Sequence, residues 1–288
     1  MQLAGAYGAE PVVVPVGGHA WTLHPCDADA LRVVVALGCS MGQPPADQAP
    51  VGSVALWADA SRALELSMSG VLLAPTTDDP VAVHVPAPEE PSGGLLPSLI
   101  WLSTALAEAT VGRLDCSPAC GLYHAALASL DGQGVLLAAP GGTGKTTASS
   151  RLPARWRSWS DDTCYLADDP RGGWCVHPWP TWSRLLTGPD IGSWPVSERV
   201  PLRAVCFLEQ APADSITPVG RGEAAVRLYA AADQARSLAL RQTSPEAAQA
   251  RRARWFAGAA ALSAAVPSFV LRLTLDGQFW ELIEAALA

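Results

Sequence analysis

The sequence predicts an α/β fold, and three observations predict it. An apolar run over residues 135–139 enters a glycine-rich turn, and Lys145, Thr146 and Thr147 can then open a helix. Upstream, residues 1 to about 85 alternate short β-rich runs with turn signals around one capped helix. Downstream, strand-like and helix-like segments interleave to the C-terminus, a mixed α/β pattern.

In order, residues 12–14, 20–23, 54–57 and 81–85 read as strands, and Asp27 or Asp29 can cap a helix through Leu31, Val34, Val35 and Leu37. His19, His24 and His84 are isolated and read as ordinary histidines. Residues 86–94, rich in Pro, Glu and Gly, read as a linker, and residues 95–111 as a helix. The main boundary is placed near residue 112: a small N-terminal α/β region (1–112), open to a partner- or peptide-binding role, precedes a domain over 113–288. That domain begins with a strand at 122–130, a turn at 131–134 and the apolar strand before the glycine turn. The helix after the turn must be short, because Pro153 drives the preceding residue out of helix. Residues 156–162 read as a strand ending in Asp161 and Asp162, and 165–166 with 173–176 as a hairpin across 168–172. Residues 177–184 are dense in Pro and Trp and form either a substrate wall or a core plug. Strands at 202–208, 215–219 and 269–275 and helices at 223–236, 246–266 and 279–287 complete the chain.

The glycine turn has the composition of a phosphate cradle. Pro140, Gly141, Gly142, Thr143 and Gly144 let backbone N–H groups curl around a phosphate at a helix start. Lys145 can reach outer phosphates, Thr146 can ligate magnesium, and Thr147 extends the nucleotide-binding set. Ala139 stands where the G-x-x-x-x-G-K-[ST] pattern has its first Gly, and the relaxed pattern matches by chance in roughly 2 per cent of chains this long. Lys145 is also the only lysine in the sequence, so a chain that otherwise uses arginine has placed a compact ammonium here. The plain alternative is a Gly-rich strand–helix turn with an incidental Lys. Asp161 and Asp162 suit phosphoryl transfer, one carboxylate holding magnesium while the other accepts a proton; their plain alternative is a polar strand end.

Composition narrows the remaining classes. A net charge of −8 argues against a broad nucleic-acid surface, and the clusters Arg151, Arg155, Arg157 and Arg251, Arg252, Arg254 read as local contacts or solvated helix faces. No stretch of about twenty apolar residues and no basic-then-apolar start is present, so the reading is a soluble cytoplasmic protein without a membrane partner. Seven cysteines, an odd number scattered among apolar segments, read as buried thiols. Cys116, Cys120 and His124 fall four apart, but Pro118 and Gly121 disfavour a single helical face and a fourth zinc ligand is not apparent.

From His124 onward the chain resembles the HPr kinase/phosphorylase-like P-loop kinases, which place a His at the start of a hairpin, a Gly before the cradle strand, the glycine turn and an Asp pair after its helix. These correspond to His124, Gly134, residues 141–147 and Asp161-Asp162. It is most similar to a branch of that group, the SynChlorMet cassette protein ScmC family, through P-G-G-T-G-K-T-T (140–147), R-L-P-A-R-W-R-S-W-S-D-D (151–162), H-P-W-P-T-W-S (177–183) and V-P-L-R-A-V-C-F-L-E-Q (200–210). The resemblance implies an HPr-kinase-like, phosphoenolpyruvate-carboxykinase-like P-loop core rather than a doubly wound sheet. It implies phosphoryl transfer from ATP or GTP, with Mg, to a Ser or Thr hydroxyl of a ribosomally made peptide or small carrier protein. It further implies radical-SAM and peptide-carrier proteins of the same cassette as partners. The roles it implies are Asp161 as base, Asp162 as second, metal-binding carboxylate, Lys145 and Thr146 on phosphate and magnesium, and His124 as an active-site neighbour. The chain lacks the acidic residue that HPr kinases carry on the strand after the Asp pair, and their C-terminal glycine-rich signature. The resemblance therefore does not extend to HPr as substrate, phosphorylase activity or a hexamer, and it leaves monomer and homo-oligomer both open. A nucleotide-binding scaffold that gates assembly of a peptide-maturation complex is the rival from another class.

Overall fold

A computed structural model of the chain describes residues 9–44, 49–58, 81–84, 94–182, 192–240 and 243–288. The predicted linker therefore lies almost wholly outside the described residues, as do Val85 and the last two positions of the Pro/Trp loop, Ser183 and Arg184. The chain forms two units, one of residues 1–115, 182–198 and 237–245, the other of 116–181, 199–236 and 246–288.

In the first unit, β1 (Val12–Val16) and β2 (His19–Pro25) form an antiparallel hairpin. Gly17 and Gly18 turn it with φ of 57° and 82°, left-handed values that a two-residue hairpin needs. Asp27 caps α1 (Ala28–Met41): one carboxylate oxygen accepts from Ala30 N at 2.7 Å and the other from Ala58 N at 2.7 Å, fastening the helix start to the end of β3 (Pro50–Trp57). β4 (Val81–His84) adds parallel to β3, giving the order β1-β2-β3-β4. α2 (Leu96–Arg113) buries residues on nearly all sides, and Trp21 Nε1 donates to its Thr110 Oγ1 at 2.8 Å. Residues 182–198 join this unit through Trp182 Nε1, which donates to Ser103 Oγ at 3.1 Å, and through the 2.8 Å bond from Trp194 N to Ser40 O.

The second unit is built on a nine-stranded sheet. Its strands are β5 (Gly121–Tyr123), β6 (Ala125–Leu130), β7 (Gln133–Ala138), β8 (Trp156–Ser160), β9 (Cys164–Asp168), β10 (Trp174–Pro178), β11 (Val200–Gln210), β12 (Ser215–Pro218) and β13 (Ser268–Leu273). The order is β5-β9-β10-β11-β7-β6-β8, with β13 on β11 and β12 on β13. β11 is long enough to take β10 at Val200 and Pro201 and β13 from Val205 onward, while β7 runs parallel along its other side. Alternation sorts the two faces. Leu136, Ala138, Val205 and Phe207 pack with α4 (Arg221–Arg236) and α5 (Pro245–Ala265), whereas Val135, Leu137, Cys206 and Leu208 pack with α3 (Lys145–Arg151) and α6 (Phe279–Leu287). Strands covered on both faces read as continuous apolar runs, as 135–139 and 204–208 do.

Most element expectations fall within a residue or two of these bounds. Two do not: β3 begins at Pro50, four residues before the strand expected at 54–57, and the single strand expected at 122–130 breaks at His124, whose backbone N turns away to donate to Ala231 O of α4 at 2.9 Å. β5 then pairs with β9, and β6 with β7 and β8. The described part of the Pro/Trp loop is a core plug, with Trp179 1% exposed and stacked on Tyr165 at 5.8 Å. The cysteines depart in part from the buried-thiol reading: none of the seven is in a disulfide, Cys39 is exposed, and Cys26 and Cys116 are half-buried. Among the described residues no helix is long and apolar enough to cross a membrane.

Candidate functional site

Register brings the predicted residues to one end of the second sheet. Ala125 pairs with Ala138, so the start of β6 lies beside the end of β7, and Leu127 pairs with Ser160, so the end of β8 lies beside both. His124, the glycine turn, and Asp161 with Asp162 each follow or precede one of those positions and therefore converge.

The turn is exposed at Pro140, Gly141 and Gly142. Gly142 and Gly144 take φ of 78° and 106°, which only glycine adopts readily. Gly144 is the N-cap of α3 and offers no side-chain acceptor, so the first-turn N–H groups rely on a partner from outside the helix. Thr146 and Thr147 are exposed on that first turn. A recess of about 510 Å³ adjoins the turn, lined by Gly142, Thr143, Gly144, Thr147, Gln210 and Leu273 among others, over the carboxyl ends of β7, β11 and β13. This is where parallel α/β sheets bind ligands. A second recess of about 270 Å³, mostly apolar, is lined by Ala139, Pro140, Phe207, Ala230, Ala231 and Gln234 among others.

Lys145 is buried, not the solvent-facing loop residue that its place in a glycine turn suggests. Its Nζ lies 2.7 Å from His124 Nε2, donates to Ala139 O at 2.8 Å, and reaches Pro140 O at 3.4 Å. An ammonium has only donors, so His124 Nε2 must be the acceptor and the ring proton sits on Nδ1. That nitrogen is 3.4 Å from Asp162 Oδ1. Lys145, His124 and Asp162 thus form a polar chain. Burial holds the Lys145 ammonium below the usual lysine range, opposed by Asp162 and then Asp161. Burial also lowers His124; the Asp162 carboxylate opposes this, and the Lys145 charge adds to it.

The two aspartates differ in setting. Asp161 is buried, and Thr181 Oγ1 donates to its Oδ1 at 2.6 Å, while the Asp162 side chain is 35% exposed. The Asp161 charge acts on Lys145 through space, favouring the ammonium. Sequence reasoning missed Thr181 as a site residue, although it stands inside the string H-P-W-P-T-W-S, and missed Gln210, whose Nε2 donates to Thr143 O of the turn at 3.2 Å. Most of the clustered arginines are spent internally. Arg151 donates to Thr274 O at 2.8 Å, Arg155 pairs with Glu284 at 2.9 Å, Arg157 stacks 3.3 Å over Trp159, and Arg254 donates to Cys116 O at 2.7 Å. A search of curated proteins finds no match to this chain. The family model of the SynChlorMet cassette protein ScmC matches residues 98–288, well over half of the chain and every residue of this site, and the chain belongs to that family.

Proposed function

We propose that the protein is a phosphotransferase that moves a phosphoryl group from ATP to a Ser or Thr hydroxyl on a ribosomally synthesised peptide or small carrier protein of its cassette, on an HPr-kinase-like P-loop core. One observation carries this reading: the only lysine of the chain closes a polar chain through His124 to Asp162 at the mouth of an exposed glycine turn, with a second carboxylate beside it. The family's description as a cassette protein supports partners made alongside it.

The residues fit a magnesium nucleotide. A Cβ built on Gly142 or Gly144 meets nothing within 4 Å, so the turn opens to the space where phosphates would lie. The turn N–H groups and Lys145 would hold phosphates, and Thr146 with the half-exposed Asp162 would hold magnesium, which supplies charge neutralisation when bound. Asp161 is the proton acceptor, held in one orientation by Thr181. In the transfer, the acceptor O–H gives its proton to Asp161, its oxygen bonds the γ-phosphorus, and the bridging P–O bond to ADP breaks. His124 orients Asp162 with Nδ1 and positions Lys145 with Nε2.

One feature favours a scaffold that binds nucleotide and transfers nothing: the Lys145 ammonium is engaged by His124 and two main-chain carbonyls rather than turned outward. Calorimetry with MgATP tests the shared part of both readings. Lys145→Ala should weaken binding by at least about tenfold, the size of one charge-assisted contact, and unchanged affinity in a folded variant would remove the cradle from both.

A further inference from the structure

We propose that Cys116, Cys120 and Asp168 form a binding site for one thiophilic divalent cation, with zinc the expected metal and a fourth position open to solvent. Their ligand atoms, two sulfurs and a carboxylate oxygen, lie within 4.8 Å of one another. Two Zn–S bonds of about 2.3 Å at a tetrahedral angle hold their sulfurs roughly 3.8 Å apart. Closing the cluster on a metal thus needs at most about 1 Å of movement, within the reach of small side-chain rotations.

The donors stand on a tied-down frame. Cys120 N donates to Ser117 O at 3.0 Å, Ala119 N to Ser117 Oγ at 3.3 Å, and Tyr123 Oη to Ala119 O at 2.8 Å, so the turn carrying both thiols is held from within. Ser117 N donates to Asp168 Oδ2 at 2.9 Å, which clasps that turn to the end of β9 while leaving the carboxylate a second oxygen for a metal. From the other side, Arg254 of α5 donates to Cys116 O, and Gly258 of the same helix packs so closely on the Pro118 carbonyl that a Cβ has no room. Ligands fixed on packed elements are what a metal site needs.

The donor set selects the metal. Two thiolates and one carboxylate suit zinc, whereas magnesium and calcium require oxygen shells. Cys120 is buried, Cys116 half-buried and Asp168 exposed, so a cation has an entry path and a place for water as fourth ligand. Binding releases the thiol protons as the metal–sulfur bonds form. The site differs from the Cys116–Cys120–His124 set that the spacing suggests, because His124 is held by Lys145 instead. The metal would clasp the segment that feeds β5, and β5 ends one residue before His124.

The test is cobalt and zinc titration of the full chain, reduced and stripped with chelator. One Co²⁺ per chain should give a thiolate-to-metal charge-transfer band and the visible bands of a four-coordinate ion, both erased by one equivalent of Zn²⁺. Cys116→Ser should weaken zinc binding about a hundredfold and Asp168→Asn about tenfold, against a chromophoric chelator; Cys39→Ser should change nothing. Zinc should also slow alkylation of Cys116 in the unmutated chain, a readout that needs no variant to fold. Equal zinc affinity in Cys116→Ser and the parent, a cobalt spectrum without thiolate bands, or unchanged alkylation of Cys116 would overturn the proposal.

Discussion

His124 is neutral in the fold because its Nε2 must accept from an ammonium 2.7 Å away. Protonation would set two cations against each other in a buried place. Its folded pKa lies below the ordinary value of 6.5, so the stability tied to the neutral ring is present above 6.5 and is lost as pH falls toward the folded pKa. The unfolding midpoint of the parent should therefore drop more between pH 7.5 and pH 5 than that of His124→Gln, which cannot titrate, and superimposable pH profiles would contradict this neutral-His arrangement. Thr181 gives a second prediction. It is 2% exposed and supplies a 2.6 Å bond to an aspartate that is 6% exposed. Thr181→Val keeps the shape and removes the donor, so it should cost about 1–3 kcal/mol in denaturant unfolding, and Thr181→Ser should restore most of it. Equal stability of the Val variant would mean that the bond organises nothing.

The break between β5 and β6 is the least legible and most consequential feature of the sheet. Gly121, at the start of β5, has φ of 128° and no space for a side chain, because a Cβ would stand 2.5 Å from Arg236 Cζ. Gly121→Ala should destabilise the protein by roughly 2 kcal/mol or more, from backbone strain and displacement of a buried guanidinium together; a loss under about 0.5 kcal/mol would show that Arg236 yields easily. The strand–turn–helix at 133–151, the hairpin of β9 and β10, and the last helix were legible because hydrophobic period and turn residues are local signals. The break at His124 was not, since its cause is a bond to Ala231, far along the chain, and residues 122–130 by themselves read as one apolar strand. The burial of Lys145 was hidden for a similar reason. A glycine turn announces an exposed loop, and only the pairing of β6 with β7 brings a histidine over the helix start. Thr181 was legible as part of an unusual string, but nothing local says that its hydroxyl faces Asp161.

Composition set the outer limits of the molecule, and the paths of the chain filled them in ways composition cannot show. The second unit gathers three separated stretches, and all the residues of the candidate site lie in it. The 19 Lys and Arg are outnumbered by 27 Asp and Glu, and the arginines of the two clusters are largely spent on carbonyls, Glu284, Asp233 and Trp159. The glycine turn at a helix start is where the proposed nucleotide would place its phosphates. Intact-mass analysis of a candidate cassette peptide, after incubation with MgATP and the parent, Asp161→Asn or Asp162→Asn, separates the proposed phosphotransferase from the scaffold reading. The phosphotransferase reading predicts a gain of one phosphoryl group with the parent and none with either amide, Asp161→Asn still binding MgATP nearly as the parent does and Asp162→Asn losing magnesium dependence. Full phosphorylation by both amides, or an unmodified peptide beside a parent that binds MgATP tightly, would contradict it.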